Sequence, residues 1–196
     1  MTEGLPFNGD RFIDAEIVKL IERFKIQTII ETGCKEGYTT RRFREMIPKR
    51  QMVVTIDIKE HYVGQQIDLI ESGINYKLGS SAELLPKLLT VTALPVLAYL
   101  DAHGEGKSPL LDELTALAQA DKTVDSCVVC IHDFFVLGQD HLGFDMVDLG
   151  GDWKEPLGFD LLLPYLVKIW PSGFQWRTNK EAEGESRGIL YAYPKT

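Results

Sequence analysis

Two strongly apolar runs of the sequence each end in an acid and a histidine: Asp101 and His103 after the first, His132 and Asp133 after the second. Carboxylates bind divalent cations, and an imidazole can accept a proton near neutral pH. If the runs are neighbouring parallel strands, about 4.8 Å apart, the two carboxylates repel unless one is protonated or a cation lies between them. The competing interpretation is that Asp133 caps the next segment and Asp101 meets only a ligand's ammonium group, with no ion.

The stretch Thr28–Thr40, TIIETGCKEGYTT, predicts a strand that turns through glycines into a helix. Glycines let the backbone approach a ligand with no Cβ in the way. Gly33 and Gly37 have no glycine between them, whereas the pyrophosphate of a dinucleotide requires one, so the pattern disfavours NAD. Glu31 would repel a phosphate but could accept a hydrogen bond from an ammonium group, which S-adenosylmethionine carries. An ordinary turn that binds nothing is the simpler alternative.

The second and third predicted strands also end in polar or small residues. Asp57 lies about 20 residues past the glycine turn, where an acid can accept both ribose hydroxyls. Gly79-Ser80-Ser81 follows the third strand, and either serine could cap a helix. Each residue alone is equally well explained as a helix cap. Five strands that all end in this way are harder to explain by capping.

The segments that must position these side chains alternate between strand and helix patterns. Apolar residues at helical spacing predict a helix over Asp10–Phe24. Strands are predicted at Ile26–Glu31, Met52–Ile58, Ile74–Leu78, Pro95–Leu100 and Ser126–Ile131, with a helix after each of the first four. The alternation implies an α/β fold with a doubly wound parallel sheet. Ligands bind such sheets outside the carboxyl ends of the strands, where the polar residues would meet.

The chain after the fifth strand departs from this alternation. Val136–Pro156 is rich in glycine and predicts a long active-site loop or lid. Gly158–Trp170 has a helical pattern, and Phe174–Thr178 and Gly188–Tyr193 predict a terminal hairpin that adds an antiparallel edge. A single domain over residues 1–196 is expected from the length.

The composition limits which binding partners and which cellular compartment are expected. The net charge of −8 argues against nucleic acid or an anionic membrane as the main partner. No apolar run approaches the length of a membrane span, and no signal peptide is visible. The three cysteines form an odd set that suits a reducing cytoplasm, and Cys127 and Cys130 lie in an apolar run that favours packing over a redox or zinc role. Self-association is left open.

The motifs ETGCKEGYTT, TID, GSSAE, LDAH and IHDF occur in this order, and together they resemble those of class I S-adenosylmethionine-dependent methyltransferases. Within that class the chain is most similar to small-molecule O-methyltransferases of the catechol, macrocin and cephalosporin-biosynthesis type. The resemblance covers Ile26–Phe135 by motif and extends to the terminal hairpin by topology. It implies a Rossmann-like fold with a mostly parallel seven-stranded sheet. It also implies methyl transfer to a hydroxyl of a small molecule such as a sugar or natural product.

The resemblance further implies roles for individual residues. Asp57 would hold the ribose of the cofactor, and Ser81 and Ala82 would lie along its adenine. The residues around its methionine part would be Glu31, Gly33, Gly37, Tyr38, Thr39 and Asp101. Metal-dependent members of the family hold one ion with an acid after strand four and two polar residues after strand five. Asp101, His132 and Asp133 occupy those positions.

Two departures from the family pattern concern the metal and the base. His132 does not suit an all-oxygen magnesium site, which implies either no metal or a softer ion such as manganese or iron. Catechol-type enzymes carry a catalytic lysine where this chain has Gly104, so His103 or Lys107 would have to take the acceptor's proton. The implied catalytic residues are His103 and Asp101. Both histidines have a simpler interpretation, His103 as a helix cap and His132 as a buried core residue.

Two further functions stay open, because a fold does not decide a function. One is a metal-dependent, hydroxylase-like relative on the same fold. The other is a cofactor-binding domain without catalysis, acting as a partner or regulator.

Overall fold

A seven-stranded sheet forms the centre of the molecule in a computed structural model, which describes residues 4–60, 68–102, 108–120, 126–150 and 153–195. The nine strands, in chain order, are β1 Thr28–Thr32, β2 Met52–Asp57, β3 Asn75–Leu78, β4 Val96–Leu100, β5 Cys127–His132, β6 Met146–Gly150, β7 Trp153–Pro156, β8 Phe174–Thr178 and β9 Ile189–Pro194. The sheet order is β3-β2-β1-β4-β5-β9-β8. Strands β1 to β5 are parallel, and β9 pairs antiparallel with β5 and β8. The predicted sheet with its terminal antiparallel hairpin is therefore confirmed.

The strand register brings the carboxyl ends of β1, β2, β4 and β5 to one level. Thr32, the last residue of β1, pairs with Ile56 of β2 and with Leu100 of β4. Leu100 in turn pairs with Ile131 of β5. The strand order reverses at β1 and β4, and this is the place where ligands bind in doubly wound sheets.

Helices cover both faces of the sheet: α1 Arg11–Phe24, α2 Tyr38–Met46, α3 Ser81–Val91, α4 Leu110–Gln119 and α5 Phe159–Ile169. Buried residues of α1 and α2 pack on one face, and those of α3, α4 and α5 pack on the other. The helix predicted between β2 and β3 is described only from residue 68, where residues 68–71 are helical. No helix in the described ranges is long and apolar enough to cross a membrane.

Burial on both faces explains why the central strands read as continuous apolar runs. Every residue of β1, β4 and β5 is buried. Cys127 and Cys130 are buried free thiols that lie in the cores on opposite faces of the sheet. Their packing role agrees with the sequence-based interpretation.

The segment Val136–Pro156, predicted as a long active-site loop or lid, is partly regular structure. It contains a two-stranded antiparallel sheet, β6–β7. Leu142 and Val147 are buried in the main core, and the backbone N–H of Asp145 donates to the carbonyl of Asp133 at 2.9 Å. Scattered apolar residues that reach the core therefore hold this segment, against what its glycine content suggested.

Candidate active site

The backbone at Gly33, just after β1, packs directly against the backbone that follows β4. Its φ of +79° lies in the left-handed region, and a Cβ placed on it would be 2.4 Å from the carbonyl oxygen of Asp101 and 2.8 Å from Cα of Ala102. No side chain fits that space, because the neighbouring atoms belong to the backbone. Gly33 is thus required by contact between two strand ends, whether or not a ligand lies above it.

The loop after Gly33 leads into α2, whose first residues hold the N-terminal segment. Gly37 precedes the helix with φ +77°. Tyr38 is exposed, and the hydroxyl of Thr39 accepts a hydrogen bond from the backbone N–H of Phe7 at 2.9 Å. Thr39 therefore ties residues before α1 to the edge of the sheet where the predicted cofactor site lies.

Glu31 lies inside the molecule below this edge, and its side chain is 1% exposed. Its Oε2 atom accepts hydrogen bonds from the hydroxyls of Thr55, at 2.7 Å, and Thr40. Burial raises the pKa of Glu31 to about 8, against the lowering effect of the two hydroxyls. Its predicted contact with the methionine part of a cofactor stays a prediction.

Glu31→Gln should remove a pH-dependent loss of stability. The pKa of Glu31 rises from 4.5 to about 8 on folding. Between these values the folded state holds a proton that the unfolded state has lost, so the free energy of unfolding falls as pH rises, by at most about 1.4 kcal/mol per pH unit. A glutamine can accept the same two hydroxyl bonds without titrating. Urea unfolding of both proteins from pH 5 to 8 should give diverging curves, and parallel curves would contradict the assignment.

Asp57 joins the turns that follow β1 and β2. Its two carboxylate oxygens accept backbone hydrogen bonds from Lys35 at 3.0 Å and Lys59 at 2.9 Å. The carboxylate is thereby fixed beside the glycine turn, as expected for the predicted ribose-binding acid. Its predicted contact with the ribose stays a prediction.

The predicted adenine-binding residues lie at the start of α3. Ser81 is the first residue of the helix and is buried, and Ala82 follows it with intermediate exposure. The turn before them is held to β2, because the N–H of Gly79 donates to the carbonyl of Asp57 at 2.8 Å. The structure thus connects the predicted adenine edge to the predicted ribose acid.

Asp101, His132 and Asp133 form a compact cluster at the ends of β4 and β5, as the sequence predicted. Nδ1 of His132 lies 3.1 Å from Oδ1 of Asp101 and 3.2 Å from Oδ1 of Asp133. Neither contact has hydrogen-bond geometry, and Nδ1 has no other hydrogen-bond partner in the described ranges. Burial lowers the pKa of His132, but the two carboxylates raise it by more, to about 10. The histidine therefore carries a positive charge at neutral pH in this arrangement.

A second cation in the cluster, Arg187, was not predicted. Its Nε donates to Oδ1 of Asp133, and its Nη2 donates to Oδ1 of Asp145 at 2.6 Å. Two carboxylates this close were expected to repel unless one is protonated or a cation lies between them. The protein already supplies two, the imidazolium of His132 and the guanidinium of Arg187.

The same cluster has the donor atoms of a divalent-ion site. One oxygen from each aspartate and a nitrogen of His132 lie within 4.8 Å of one another. The two separations from Nδ1 of His132, 3.1 and 3.2 Å, are close to the roughly 3.0 Å between adjacent ligands of a six-coordinate ion with bonds of about 2.1 Å. A mixed nitrogen and oxygen set suits manganese or iron better than magnesium. The residues fit an ion in type and position, provided that Nδ1 of His132 gives up its proton to become a ligand, and Arg187 is bound to one of the donor oxygens.

A cavity of about 170 Å³ opens beside the cluster, lined in part by Asp101, His132, Asp133, Asp145 and Glu113. Glu113, which lies on α4 and is 0% exposed, was not among the predicted site residues. Neither of its carboxylate oxygens has a hydrogen-bond partner among the described residues. Burial raises its pKa to about 7, although the nearby hydroxyls of Ser81 and Thr32 lower it. The available signal was a glutamate on the apolar face of a helix, next to Leu110, Leu114 and Leu117.

His103, predicted as the catalytic base, lies outside the described residues, as do Gly104 and Lys107. The described candidates form two groups. One surrounds the turns after β1, β2 and β3. The other surrounds the cavity at β4 and β5, and Asp101, whose carbonyl faces Gly33, links the two.

Comparison with known proteins identifies the fold. No protein-family model matches the sequence, and no curated protein matches it. Solved structures do match, among them the O-methyltransferase TomG from Streptomyces achromogenes, involved in tomaymycin synthesis and solved with SAM, with a TM-score of 0.62, 17% identity and coverage of 92% of this chain and 78% of that chain. An O-methyltransferase from Bacillus cereus in complex with SAH gives a TM-score of 0.60 at 14% identity, covering 96% of this chain and 83% of that one.

A methyltransferase from Geobacter sulfurreducens gives a TM-score of 0.57 at 14% identity, with coverage of 94% of this chain and 78% of that one. Likeness at these identities extends to the fold and no further. The chain has the Rossmann-like methyltransferase fold that its motifs predicted.

Proposed function

We propose that this protein transfers a methyl group from S-adenosylmethionine to a hydroxyl of a small molecule. The observation that carries the proposal is the continuity of one sheet edge. Asp57 lies beside the glycine turn and ends β2, on one side of β1, and the cavity that Asp101 lines lies at the ends of β4 and β5, on the other side. A cofactor bound over the first group would direct a reactive group towards the second. The solved neighbours with SAM and SAH support this choice of cofactor.

The cofactor site would use the residues that the sequence motifs indicate. The Gly33 turn lets the ligand approach the backbone, and Asp57 would accept the ribose hydroxyls. The remaining cofactor contacts would come from Glu31, Gly37, Tyr38, Thr39, Ser81, Ala82 and Asp101. A ligand with an ammonium group and no phosphate suits this acidic edge, whereas a dinucleotide does not.

The chemistry that the cofactor supplies is an activated sulfonium methyl. The acceptor's oxygen forms a bond to the methyl carbon while the carbon–sulfur bond breaks and its electron pair remains on sulfur. The protein must align the acceptor and remove its proton. Asp101 and His103 are the proposed catalytic residues, with Asp101 at the junction of the two ligand sites. Glu113 is a further buried carboxyl that lines the same cavity.

A divalent ion, if bound, would be held by Asp101, His132 and Asp133. It would polarise the acceptor's hydroxyl and lower its pKa. Manganese or iron suits this donor set better than magnesium.

The cavity favours a small acceptor without negative charge. Four carboxyl groups line it, from Asp101, Glu113, Asp133 and Asp145, and they outnumber the two cations of the cluster, those of His132 and Arg187. Polyols, sugars and phenols suit such surroundings better than phosphorylated acceptors do, because like charges repel. The net charge of −8 likewise disfavours nucleic acid. Three buried free thiols are consistent with a reducing cytoplasm.

Calorimetry with S-adenosylhomocysteine tests the cofactor first. We expect saturable binding of one ligand per chain, and NAD at the same concentration should give no signal. Absence of S-adenosylhomocysteine binding at millimolar ligand would end the methyltransferase proposal. A second experiment incubates the protein with labelled S-adenosylmethionine and pools of hydroxylated acceptors, and transfer of label identifies the acceptor class.

A further inference from the structure

The carboxylate of Asp133 is buried, and its contacts decide how the acidic cluster is neutralised. Its side chain is only 5% exposed. A buried carboxylate that water cannot solvate requires a cation or hydrogen-bond donors. Arg187 meets this need, because its Nε donates to Oδ1. Oδ1 is also the Asp133 atom that faces Nδ1 of His132, at 3.2 Å.

The guanidinium and a divalent ion would therefore use the same oxygen. Oδ1 of Asp133, Oδ1 of Asp101 and Nδ1 of His132 are the atoms that converge at the ends of β4 and β5. An ion coordinated by these atoms would stand next to the positive charge of Arg187. The imidazolium of His132 already shares this oxygen with Arg187, but an ion would replace that single positive charge with two, after release of the Nδ1 proton. Its repulsion of the guanidinium would then be about twice as strong, in a place where water is excluded, and this favours withdrawal of the arginine.

Arg187 is held in place by contacts on both sides. Its Nη2 donates to Asp145 at 2.6 Å, and the N–H of Asp145 donates to the carbonyl of Asp133 at 2.9 Å. Gly143 forms backbone hydrogen bonds with Ser186 and Gly188, the residues on either side of Arg187. A Cβ on Gly143 would be 2.9 Å from Nη1 of Arg187 and 3.1 Å from its Cδ, so the arginine lies where a larger residue would project.

The arginine can also leave this position. Its side chain is 27% exposed, whereas that of Asp133 is 5% exposed. A flexible side chain at the surface can rotate into solvent, but the carboxylate at the end of β5 cannot. The mobile partner of the pair is therefore the cation.

We propose that Arg187 is an internal competitor for the divalent-ion site of Asp101, His132 and Asp133, and that an ion binds there only when the guanidinium withdraws. The chain without ion then carries its own positive charge at the site. This inference concerns ion binding alone, and it does not depend on methyl transfer.

Manganese binding measured on the full-length chain tests this proposal without an acceptor or an activity assay. The protein is freed of metal by chelation and titrated with Mn²⁺, and free Mn²⁺ is followed by electron paramagnetic resonance. Arg187→Met keeps much of the side-chain volume and removes the charge, and it should bind Mn²⁺ at least tenfold more tightly than the natural chain. Adding Asp133→Asn to Arg187→Met should abolish that gain, because the competed oxygen then lacks its charge.

A pair of glycine substitutions tests the same idea without changing any charge. Gly143→Ala places a methyl group against the guanidinium and should displace it, which would tighten Mn²⁺ binding in the same direction as Arg187→Met. Gly158→Ala is the matched control, since its Cβ would meet only ordinary contacts at 3.6 and 3.7 Å. It should bind Mn²⁺ like the natural chain. Circular dichroism shows whether each variant is folded. If Arg187→Met does not fold, the Mn²⁺ affinity of Gly143→Ala tests the proposal instead.

Three results would overturn the proposal. Equal Mn²⁺ affinity in the natural chain and the two arginine-displacing variants would mean that ion and arginine coexist. A gain that survives Asp133→Asn would place the ion elsewhere. No binding by any variant at millimolar Mn²⁺ would mean that this cluster is neutralised by the protein alone.

Discussion

Gly33→Ala should destabilise the protein far more than an alanine at a glycine with the same backbone conformation. Gly33 and Gly73 both have φ +79°, but a Cβ at Gly73 meets nothing within 4 Å, whereas at Gly33 it meets the backbone of Asp101 and Ala102. The left-handed conformation costs an alanine about 1–2 kcal/mol at either site. The clash at Gly33 adds about 1–3 kcal/mol, because strand ends and not side-chain tips must move.

Urea unfolding of Gly33→Ala, Gly73→Ala and the natural chain measures the two contributions separately. Gly37→Ala is a further comparison: its φ is +77° and its Cβ would meet the flexible side chain of Leu69 at 3.1 Å. We expect the order of loss Gly33, then Gly37, then Gly73. If Gly33→Ala is as stable as Gly73→Ala, the glycine serves ligand approach alone. The structure thus adds a packing role for Gly33 to the one that the sequence predicted, in which the missing Cβ lets a ligand approach the backbone.

Asp57→Ala should weaken binding of S-adenosylhomocysteine by about ten- to a hundredfold. Hydrogen bonds to a charged group are worth about 1.5–3 kcal/mol, and the ribose hydroxyls would lose their acceptor. Calorimetry gives the affinity directly. An unchanged affinity would show that the acid at the end of β2 does not hold the ribose.

The structure adds a control that the sequence could not supply. Asp57 also accepts hydrogen bonds from the backbone of Lys35 and Lys59, so its loss could loosen the glycine turn itself. Asp57→Asn retains an acceptor oxygen and limits that loosening, and thermal unfolding reports what remains of it. Glu45→Ala removes an exposed acid that pairs with Arg42, and it should leave the affinity unchanged at the same net charge as Asp57→Ala.

Local sequence patterns were sufficient to predict the strands of the sheet and some of the residues at the candidate active site. Apolar runs of strand length, separated by helical periodicity, predicted β1 to β5 with only small shifts at their limits, because strands buried on both faces must be apolar throughout. Parallel strands bring their carboxyl ends to one edge. Asp57, Asp101, His132 and Asp133 could therefore be assigned to a common edge from their positions after the strands alone.

Contacts between residues far apart in the sequence could not be predicted from those patterns. Arg187 reaches Asp133 across 54 residues, and nothing near Arg187 in the sequence indicates an acidic partner. Glu113 follows Leu110 in a helix that reads as ordinary, so only the packing of α4 shows its carboxyl buried beside the cavity. The β6–β7 pair was not predicted, because the glycines in this segment indicated a loop. Only a few dispersed apolar residues hold it to the core, and they form no periodic pattern.

The sequence by itself determined the doubly wound sheet and which residue types stand at its ligand-binding edge, because periodicity and strand-end position are local properties of the chain. Only the tertiary structure decided how those residues are neutralised and constrained. Gly33 faces a backbone rather than open space, Glu31 accepts two hydroxyl hydrogen bonds inside the protein, and Asp133 already has a cation. Each of these depends on which distant atoms packing brings within a few ångströms, and that information is not carried by any single stretch of sequence.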